Sequence, residues 1–465
     1  MDYLERLDSF QDELIETLQG LLRIRSVKDE PIQDIPFGKG IQEALIYMLN
    51  KGKTLGLEVK NLDNYAGHIE IGEGEEIVGI LVHLDVVPEG SGWEHDPFEG
   101  EISNGKIYGR GTVDDKGPAV AVLYGMKAIK DSGIRLSKRV RLIMGTDEES
   151  SKWEGIRYYL SKEDIPSFGF TPDSNFPVIH AEMGILIFDL VKKVKANSSG
   201  AVSLKSIKGG NAPNMVPDSC KAVIMADNYQ TILEKVTQFN EDNINKISTR
   251  VRGKSLEIYS EGISAHGAHP ERGINAISVL MKFLRMICFS NEDHNEFIEF
   301  YNEKIGMNIH GEFMGCSFKD DISGPLIFNV GKIDVDEKTA GLTINIRYPV
   351  TMKGEEIYRG IRTVTDAYDF GILKSGEQPP IHLPLDHPVV QKLMKVYQKH
   401  TNDLASKPIV TGGGTYARAI ENAVAFGPVF VGQPSLEHQK DEYIEIDLLM
   451  RAAKIFADAI YELAK

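Results

Sequence analysis

Two histidines and a set of carboxylates stand at or just beyond the carboxyl ends of apolar runs: His83 with Asp85, Asp114, Glu148 with Glu149, Asp173 and, far downstream, His438. In an open α/β sheet the crevice beyond the strand ends is where ligands bind, so residues scattered in sequence can converge there. Imidazole and carboxylate without cysteine form a borderline-to-hard donor set suited to Zn²⁺, Mn²⁺ or Co²⁺. Two imidazoles and three carboxylates exceed what one tetrahedral ion with an open position needs, and a carboxylate can bridge a pair of ions about 3.5–4 Å apart. The arithmetic favours a dinuclear centre. Each residue taken alone has a plainer reading: a satisfied histidine for His83, an N-cap pair for Asp114-Asp115, a solvated charge pair for Glu148-Glu149, a turn residue for Asp173. His438 alone carries no signal. Spacing shifts the balance. Asp85 returns to the same side of the strand as His83, where a carboxylate orients a metal-bound imidazole. Gly109, Gly111 and Gly117 around Asp114 are more glycine than a cap requires. Glu148 and Glu149 point in different directions, so one can ligate while the other acts on a bound water.

The elements that must position these groups follow from hydrophobic periodicity. Ile77–Val82 is a continuously apolar, β-branched run of the kind buried on both faces of a parallel sheet, and it ends at His83. Lys116–Lys130 has helical spacing and stops at the turn signal Asp131-Ser132-Gly133, and Arg139–Gly145 is the next strand. Strand, helix and strand in that order predict a βαβ unit. The pattern resumes with Pro408–Val410 leading into Thr411-Gly412-Gly413-Gly414-Thr415, a buried strand over Ala423–Val431 and a closing helix over Ile446–Leu463. An amphipathic helix over Phe10–Arg25 precedes the first strand. Between these segments the texture changes to alternating stretches, such as Ile185–Val191 and Thr343–Tyr348, with a helix over Ile277–Phe289. The expected fold is an α/β domain over residues 1–181 and 381–465, with a mixed, mostly parallel sheet flanked by helices. It is interrupted by an inserted α+β domain with antiparallel sheets over residues 182–380.

Composition narrows the partners. The 465 residues carry 52 Lys and Arg against 68 Asp and Glu, a net charge of −16, so nucleic acid and anionic membrane would approach against repulsion. A small substrate fits better. The first residues lack the basic and apolar regions of a signal peptide, and no apolar run approaches the ~20 residues that span a bilayer, which predicts a cytoplasmic protein. Cys220, Cys288 and Cys316 are odd in number and lack CxxC spacing, so any metal must be held by His, Asp and Glu.

In that order, His83-x-Asp85, Gly109-Arg110-Gly111-x-x-Asp114-Asp115-Lys116-Gly117, Asp147-Glu148-Glu149, Asp173 and His438 resemble the motifs of the M20 family of co-catalytic metallopeptidases, over nearly the whole chain. Within the family the chain is most similar to the bacterial dipeptidase V type, the Xaa-His or carnosinase-like dipeptidases. That likeness rests on length, on the insertion, on Gly209–Asn214, on His266 in Gly262–Gly267 and on Gly412–Arg418. The resemblance implies that His83 and Asp173 hold one metal, that Glu149 and His438 hold the other and that Asp114 bridges them. Asp85 would buttress His83, Glu148 would be the general base on a metal-bridging water, and the Asp114-Asp115 peptide would be cis. Zn²⁺ is the first expectation for the two ions, with Mn²⁺ and Co²⁺ as alternatives.

The chemistry of the residues agrees with these roles. A tetrahedral intermediate needs an oxyanion donor besides the metals, and His266 in the insertion is the best candidate, ahead of His269. The free carboxylate of a short peptide wants a planar bidentate donor, and Arg347 matches the arginine of the dipeptidase V type, with Asn214 and the backbone of Gly413 and Gly414 as helpers. With His266 and Arg347 in the insertion, closure of the two domains would complete the site and restrict it to short peptides. The function implied is a dinuclear dipeptidase acting on unblocked dipeptides, with no nucleic-acid or membrane partner. It is expected to be a monomer, because the enlarged insertion occupies the surface that smaller relatives use to pair. The alternatives are an M20 carboxypeptidase or N-acyl-amino-acid deacylase such as a desuccinylase, and a catalytically inactive, metal-loaded peptide-binding protein. The size of the insertion speaks against the first alternative. Intact Glu148 and His266 speak against the second.

Overall fold

Three neighbouring parallel strands organise the first half of the chain. In the computed structural model, which describes residues 2–150, 152–195 and 200–465, the chain divides into two compact units. Unit 1 holds residues 1–181, 382–409 and 415–465, and unit 2 holds residues 182–381 and 410–414. The sequence reading keeps 410–414 with the C-terminal segment. The difference has a local cause: Thr411 and Gly412 offer their carbonyls to the Met183 N–H and to the Arg347 guanidinium, both in unit 2.

The main sheet of unit 1 is built on β1 (Glu58–Leu62), β2 (Ala66–Ile71), β3 (Ile77–His83), β4 (Arg139–Gly145), β5 (Phe168–Thr171) and β6 (Ile179–Glu182), with Ala423–Ala425 inserted between β5 and β6. The order is β1-β2-β4-β3-β5, then Ala423–Ala425, then β6. β3 pairs in parallel with β4 and β5, while β1-β2 and β2-β4 are antiparallel. The sheet is thus mixed, with its parallel part at the centre. Every residue of β3 is buried, as expected for a strand covered on both faces. The predicted strand over Ala423–Val431 is two short pieces, Ala423–Ala425 and Pro428–Val429. Gly427 at φ +79° turns the chain, and Pro428 has no N–H to continue a ladder.

Helices α1 (Tyr3–Asp8), α2 (Gln11–Leu22), α3 (Lys39–Thr54), α4 (Lys116–Asp131) and α5 (Glu154–Lys162) belong to the same unit, with a C-terminal helix over Ile446–Ala464. α4 is buried almost throughout and packs on the C-terminal helix, where a side chain at Gly125 would meet Ala457 at 3.2 Å. Leucines and isoleucines of this interface contribute roughly 1.5–3 kcal/mol each on full burial, which fixes α4, and with it Asp114 ahead of its first turn.

Unit 2 is built on eight antiparallel strands: β7 (Gly184–Lys193), β8 (Val202–Gly209), β9 (Ser219–Ala226), β10 (Ile247–Arg252), β11 (Ser255–Glu261), β12 (Ile327–Val335), β13 (Thr339–Tyr348) and β14 (Gly371–Gln378), in the order β10-β11-β9-β8-β12-β13-β7-β14. Its own core joins this sheet to helices such as Gln230–Asp242 and Ala276–Leu284. The helix predicted over Ile277–Phe289 stops at Leu284. Met286 and Ile287 then bond three residues back rather than four, tightening the last turn. Among the described residues no helix is long and apolar enough to cross a membrane.

One buried histidine of unit 1 lies away from the carboxylate cluster and carries a pH prediction. His68, 6% exposed, accepts a hydrogen bond at Nδ1 from the Tyr159 hydroxyl at 2.9 Å. Burial, reinforced by Arg141, lowers its pKa to about 4. A folded-state pKa below the unfolded value gives stability that is present above about pH 6.5 and lost as pH falls towards 4, because only the unfolded chain takes up the proton. The loss is expected to reach roughly 2–3 kcal/mol. Both tryptophans, Trp93 and Trp153, lie in unit 1, so fluorescence-detected urea unfolding follows this unit. His68→Gln keeps an acceptor for Tyr159 and does not titrate. It should flatten the drop in the urea midpoint between pH 7 and pH 4.5, and an unchanged drop would refute the assignment.

Candidate metal centre

The adjacent parallel strands β4, β3 and β5 all point their carboxyl ends the same way, and each delivers part of one cluster. β3 ends in His83, the loop after β4 carries Asp147-Glu148-Glu149, and the turn after β5 carries Asp173. Asp114 enters just before α4, where the positive end of a helix favours a carboxylate. His438 comes from a loop, with its backbone at φ +63°.

Five of these side chains meet: His83, Asp114, Asp173, Glu149 and His438. His83 Nε2 lies 2.8 Å from Asp114 Oδ1 and 3.9 Å from Asp173 Oδ2. His438 Nε2 lies 3.1 Å from Asp114 Oδ2 and 3.1 Å from Glu149. The two oxygens of Asp114 therefore face different imidazoles. One oxygen belongs to a group with His83 and Asp173, the other to a group with His438 and Glu149. The Asp114-Asp115 peptide is cis, as the resemblance implies, and Asp115 accepts the His83 backbone N–H at 3.2 Å.

Asp85 has partners besides His83. The His83 Nδ1–H donates to the Asp85 backbone carbonyl at 2.9 Å, while the Asp85 carboxylate stands 3.6 Å away. Its two oxygens accept the backbone N–H groups of Glu148 and Glu149, each at 3.0 Å. Asp85 thereby sets the orientation of the loop that presents both glutamates. Two neighbours complete the support. Asp147 accepts the N–H groups of Glu154 and Gly155 at the start of α5, and Tyr416 lies against the backbone of Gly145, where a Cβ would meet its ring at 2.3 Å.

Charge in the cluster is unbalanced. Burial opposes protonation of both histidines, yet the carboxylates outweigh it: Asp114 and Asp85 hold His83 well above the usual histidine range, and Asp114 and Glu149 raise His438 to about 11. Burial would raise Asp114, but His438 and His83 bring it far below the carboxylate range. Burial pushes Glu148 and Asp173 well above that range, with the charges of Glu149 and Asp114 respectively adding to it. Four carboxylates and two imidazoles make a hard-to-borderline set short of positive charge, which fits divalent cations. Among the described residues, His83, Asp114 and Glu149 each offer a ligand atom within 4.8 Å of the others.

The remaining sequence-predicted residues form a group within unit 2. The Asn214 carbonyl accepts the Gly267 N–H at 2.6 Å, Met215 bridges to His266, and His266 Nδ1 accepts the Ala268 N–H at 3.3 Å. Asn329 holds the same loop through the Pro213 and Met215 carbonyls, at 3.1 and 2.9 Å. Arg347, at the end of β13 and 4% exposed, donates from Nε to Asn345 Oδ1 at 3.1 Å and from Nη1 to the Gly412 carbonyl at 2.9 Å. Gly413 donates its N–H to Thr411 Oγ1 at 3.0 Å, and Gly414 lies in the same short segment. His269 instead faces Glu271 at 3.2 Å and is half exposed. Asn329 and Asn345, which pair across β12 and β13, are supports that the sequence reading missed.

Residues 79–462 match the family model described as "Peptidase family M20/M25/M40". The Bacillus subtilis (strain 168) protein named "Putative dipeptidase YtjP" is 42% identical over 459 residues, covering 98% of each chain. Human carnosine dipeptidase 1 shares the fold, with a TM-score of 0.58 at 15% identity, over 99% of this chain and 98% of that one. An M20 family metallo-carboxypeptidase from Sulfolobus solfataricus does so equally, with a TM-score of 0.58 at 18% identity, over 97% of this chain and 99% of that one. A dipeptidase and a carboxypeptidase share the fold, so the choice between them rests on the side chains.

Proposed function

The chain belongs to peptidase family M20/M25/M40 and is a peptidase, and from that premise we propose that it is a dinuclear, metal-dependent dipeptidase of the cytoplasm, acting as a monomer on short unblocked peptides. The observation that carries the two-ion reading is Asp114, whose oxygens face His83 on one side and His438 on the other at 2.8 and 3.1 Å. In this reading His83, Asp173 and Asp114 hold one ion, and His438, Glu149 and Asp114 hold the other. Zn²⁺ comes first, and Mn²⁺ or Co²⁺ suits the same donors. Two such ions, when bound, lower the pKa of water towards neutrality and polarise a scissile carbonyl.

The chain's own groups do the rest. Glu148 takes the proton from the attacking water and passes it to the leaving amine. Asp85 fixes Glu148 and Glu149 by their backbone N–H groups, so the base and the neighbouring ligand keep separate directions. His266 is assigned to the oxyanion. Arg347, with Asn214 and the backbone of Gly413 and Gly414, is assigned to the substrate carboxylate, the guanidinium being held in place by Asn345.

A substrate panel tests the reading. Free dipeptides are expected to be cleaved in preference to N-acetylated dipeptides and tripeptides. Chelation should abolish the activity, and added Zn²⁺, Mn²⁺ or Co²⁺ should restore it. Preferential cleavage of the blocked substrates would overturn the dipeptidase assignment in favour of a deacylase, and activity indifferent to chelation would overturn the metal reading.

A further inference from the structure

Resting on the two-ion reading above, we propose that the buried Arg110–Glu442 pair is a positioning device that ties the loop of Asp114 to the loop of His438 and so keeps the two ligands facing each other. Neither residue is a ligand, and both are almost fully enclosed, with side chains 2% and 0% exposed. Glu442 Oε2 accepts from Arg110 Nη1 at 2.7 Å. Its Oε1 is wrapped by the loop that ends in Asp114, accepting the N–H groups of Gly111 at 3.1 Å, Val113 at 2.9 Å and Asp114 at 3.4 Å, and the Thr112 hydroxyl at 3.4 Å. One carboxylate thus fixes four consecutive residues, the last of which faces both imidazoles.

The other half of the device reaches His438. Arg110 Nη1 also donates to the carbonyl of Gln439, the residue after His438, at 3.1 Å. The Gly109 N–H bonds the Glu442 carbonyl at 2.9 Å, and the short strands Lys106–Tyr108 and Tyr443–Glu445 pair on either side. The ring of Trp93 lies 5.2 Å from the guanidinium carbon, closing the pair off. His438 is half exposed and in a left-handed backbone conformation, with the Gln439 N–H bonding back to the Leu436 carbonyl at 3.1 Å. Removing one member of a buried pair leaves a charge and several backbone donors unmatched, and the two loops are then free to separate.

The alternative is a pair that only stabilises the fold, and metal affinity separates the two. In the full chain, Zn²⁺ binding measured by competition with a chromophoric chelator is expected to weaken roughly 10–100-fold in Glu442→Gln and in Arg110→Gln, the scale of losing an outer support of a metal ligand. The double variant should be no weaker than the worse single one. At saturating Zn²⁺ kcat should recover with KM unchanged. Zn²⁺ affinity within twofold of the native chain, in variants with native circular dichroism, would overturn the proposal. If either variant fails to fold, Arg110→Lys keeps the charge but loses the planar fork, and a loss of roughly threefold or more is expected, native affinity again being the refuting result. A native chain that takes up no Zn²⁺ refutes the two-ion reading itself, whereas native uptake with unaffected variants refutes only the positioning pair.

Discussion

Replacing Glu148 by glutamine is expected to leave two ions bound per chain and to lower kcat by about 10²–10⁴, the range for losing a positioned general base. The amide keeps the size of the side chain and leaves the backbone N–H to Asp85 untouched. What it removes is the capacity to take a proton. Glu148 is well placed for that loss to be clean, because the Nε2 contacts of the two imidazoles are to Asp114, Asp173 and Glu149. Glu149→Gln should behave oppositely. It weakens the acceptor that His438 meets at 3.1 Å, so metal content after dialysis should fall and activity should return in part at high metal concentration. Metal analysis beside kinetics decides between them. Metal loss in Glu148→Gln with retention in Glu149→Gln would mean that the two glutamates have exchanged roles.

How far these roles can be read from the chain depends on whether a residue terminates an ordered element. His83, Glu148 and Glu149 follow Ile77–Val82 and Arg139–Gly145, which read as strands, so their convergence follows from the sheet rule, whereas the strand ahead of Asp173 is seen only in the structure. Asp114 precedes a helix whose periodicity is plain. His438 stands several residues beyond its run, Ala423–Val431, rather than at the end of it. It sits in a loop with φ +63°, held by contacts to residues over 280 positions away, and only its place in the ordered motif set marks it. Glu442 was invisible for the same reason: it lies in a loop with no periodic signal, while the fold buries it completely. Arg110 stands in the motif Gly109-Arg110-Gly111, but nothing in the sequence marks it as buried against Glu442. The detail of Asp85 was also beyond reach. Spacing places it beside His83, but that its carboxylate would serve the Glu148 and Glu149 backbone depends on the separation of β3 and β4. Pairing of Asn329 with Asn345 is likewise a matter of register.

Asp114 carries the largest expected effect, because it alone belongs to both ligand groups. Loss of Asp173 or Glu149 touches one imidazole, whereas Asp114 Oδ1 and Oδ2 serve His83 and His438 separately. Asp114→Ala is therefore expected to weaken both ions at once and to lower kcat/KM by roughly 10³-fold or more, since electrophilic stabilisation worth several kcal/mol is lost and each 1.36 kcal/mol is a factor of ten. Asp114→Asn should be graded. The amide retains one oxygen, so one ion should persist with reduced affinity while the second is lost. Absolute stability is a poor measure here, because removing Asp114 also strips both histidines of a partner. The increment on adding metal is the better one. A ligand at a hundred times its dissociation constant stabilises the folded chain by about 2.7 kcal/mol per site, which appears as a rise in melting temperature. That rise should be present in the native chain, reduced in Asp114→Asn and absent in Asp114→Ala. Two ions bound to Asp114→Ala with native affinity would show that the carboxylate does not bridge, and the cluster would then have to be read as two separate single-ion sites.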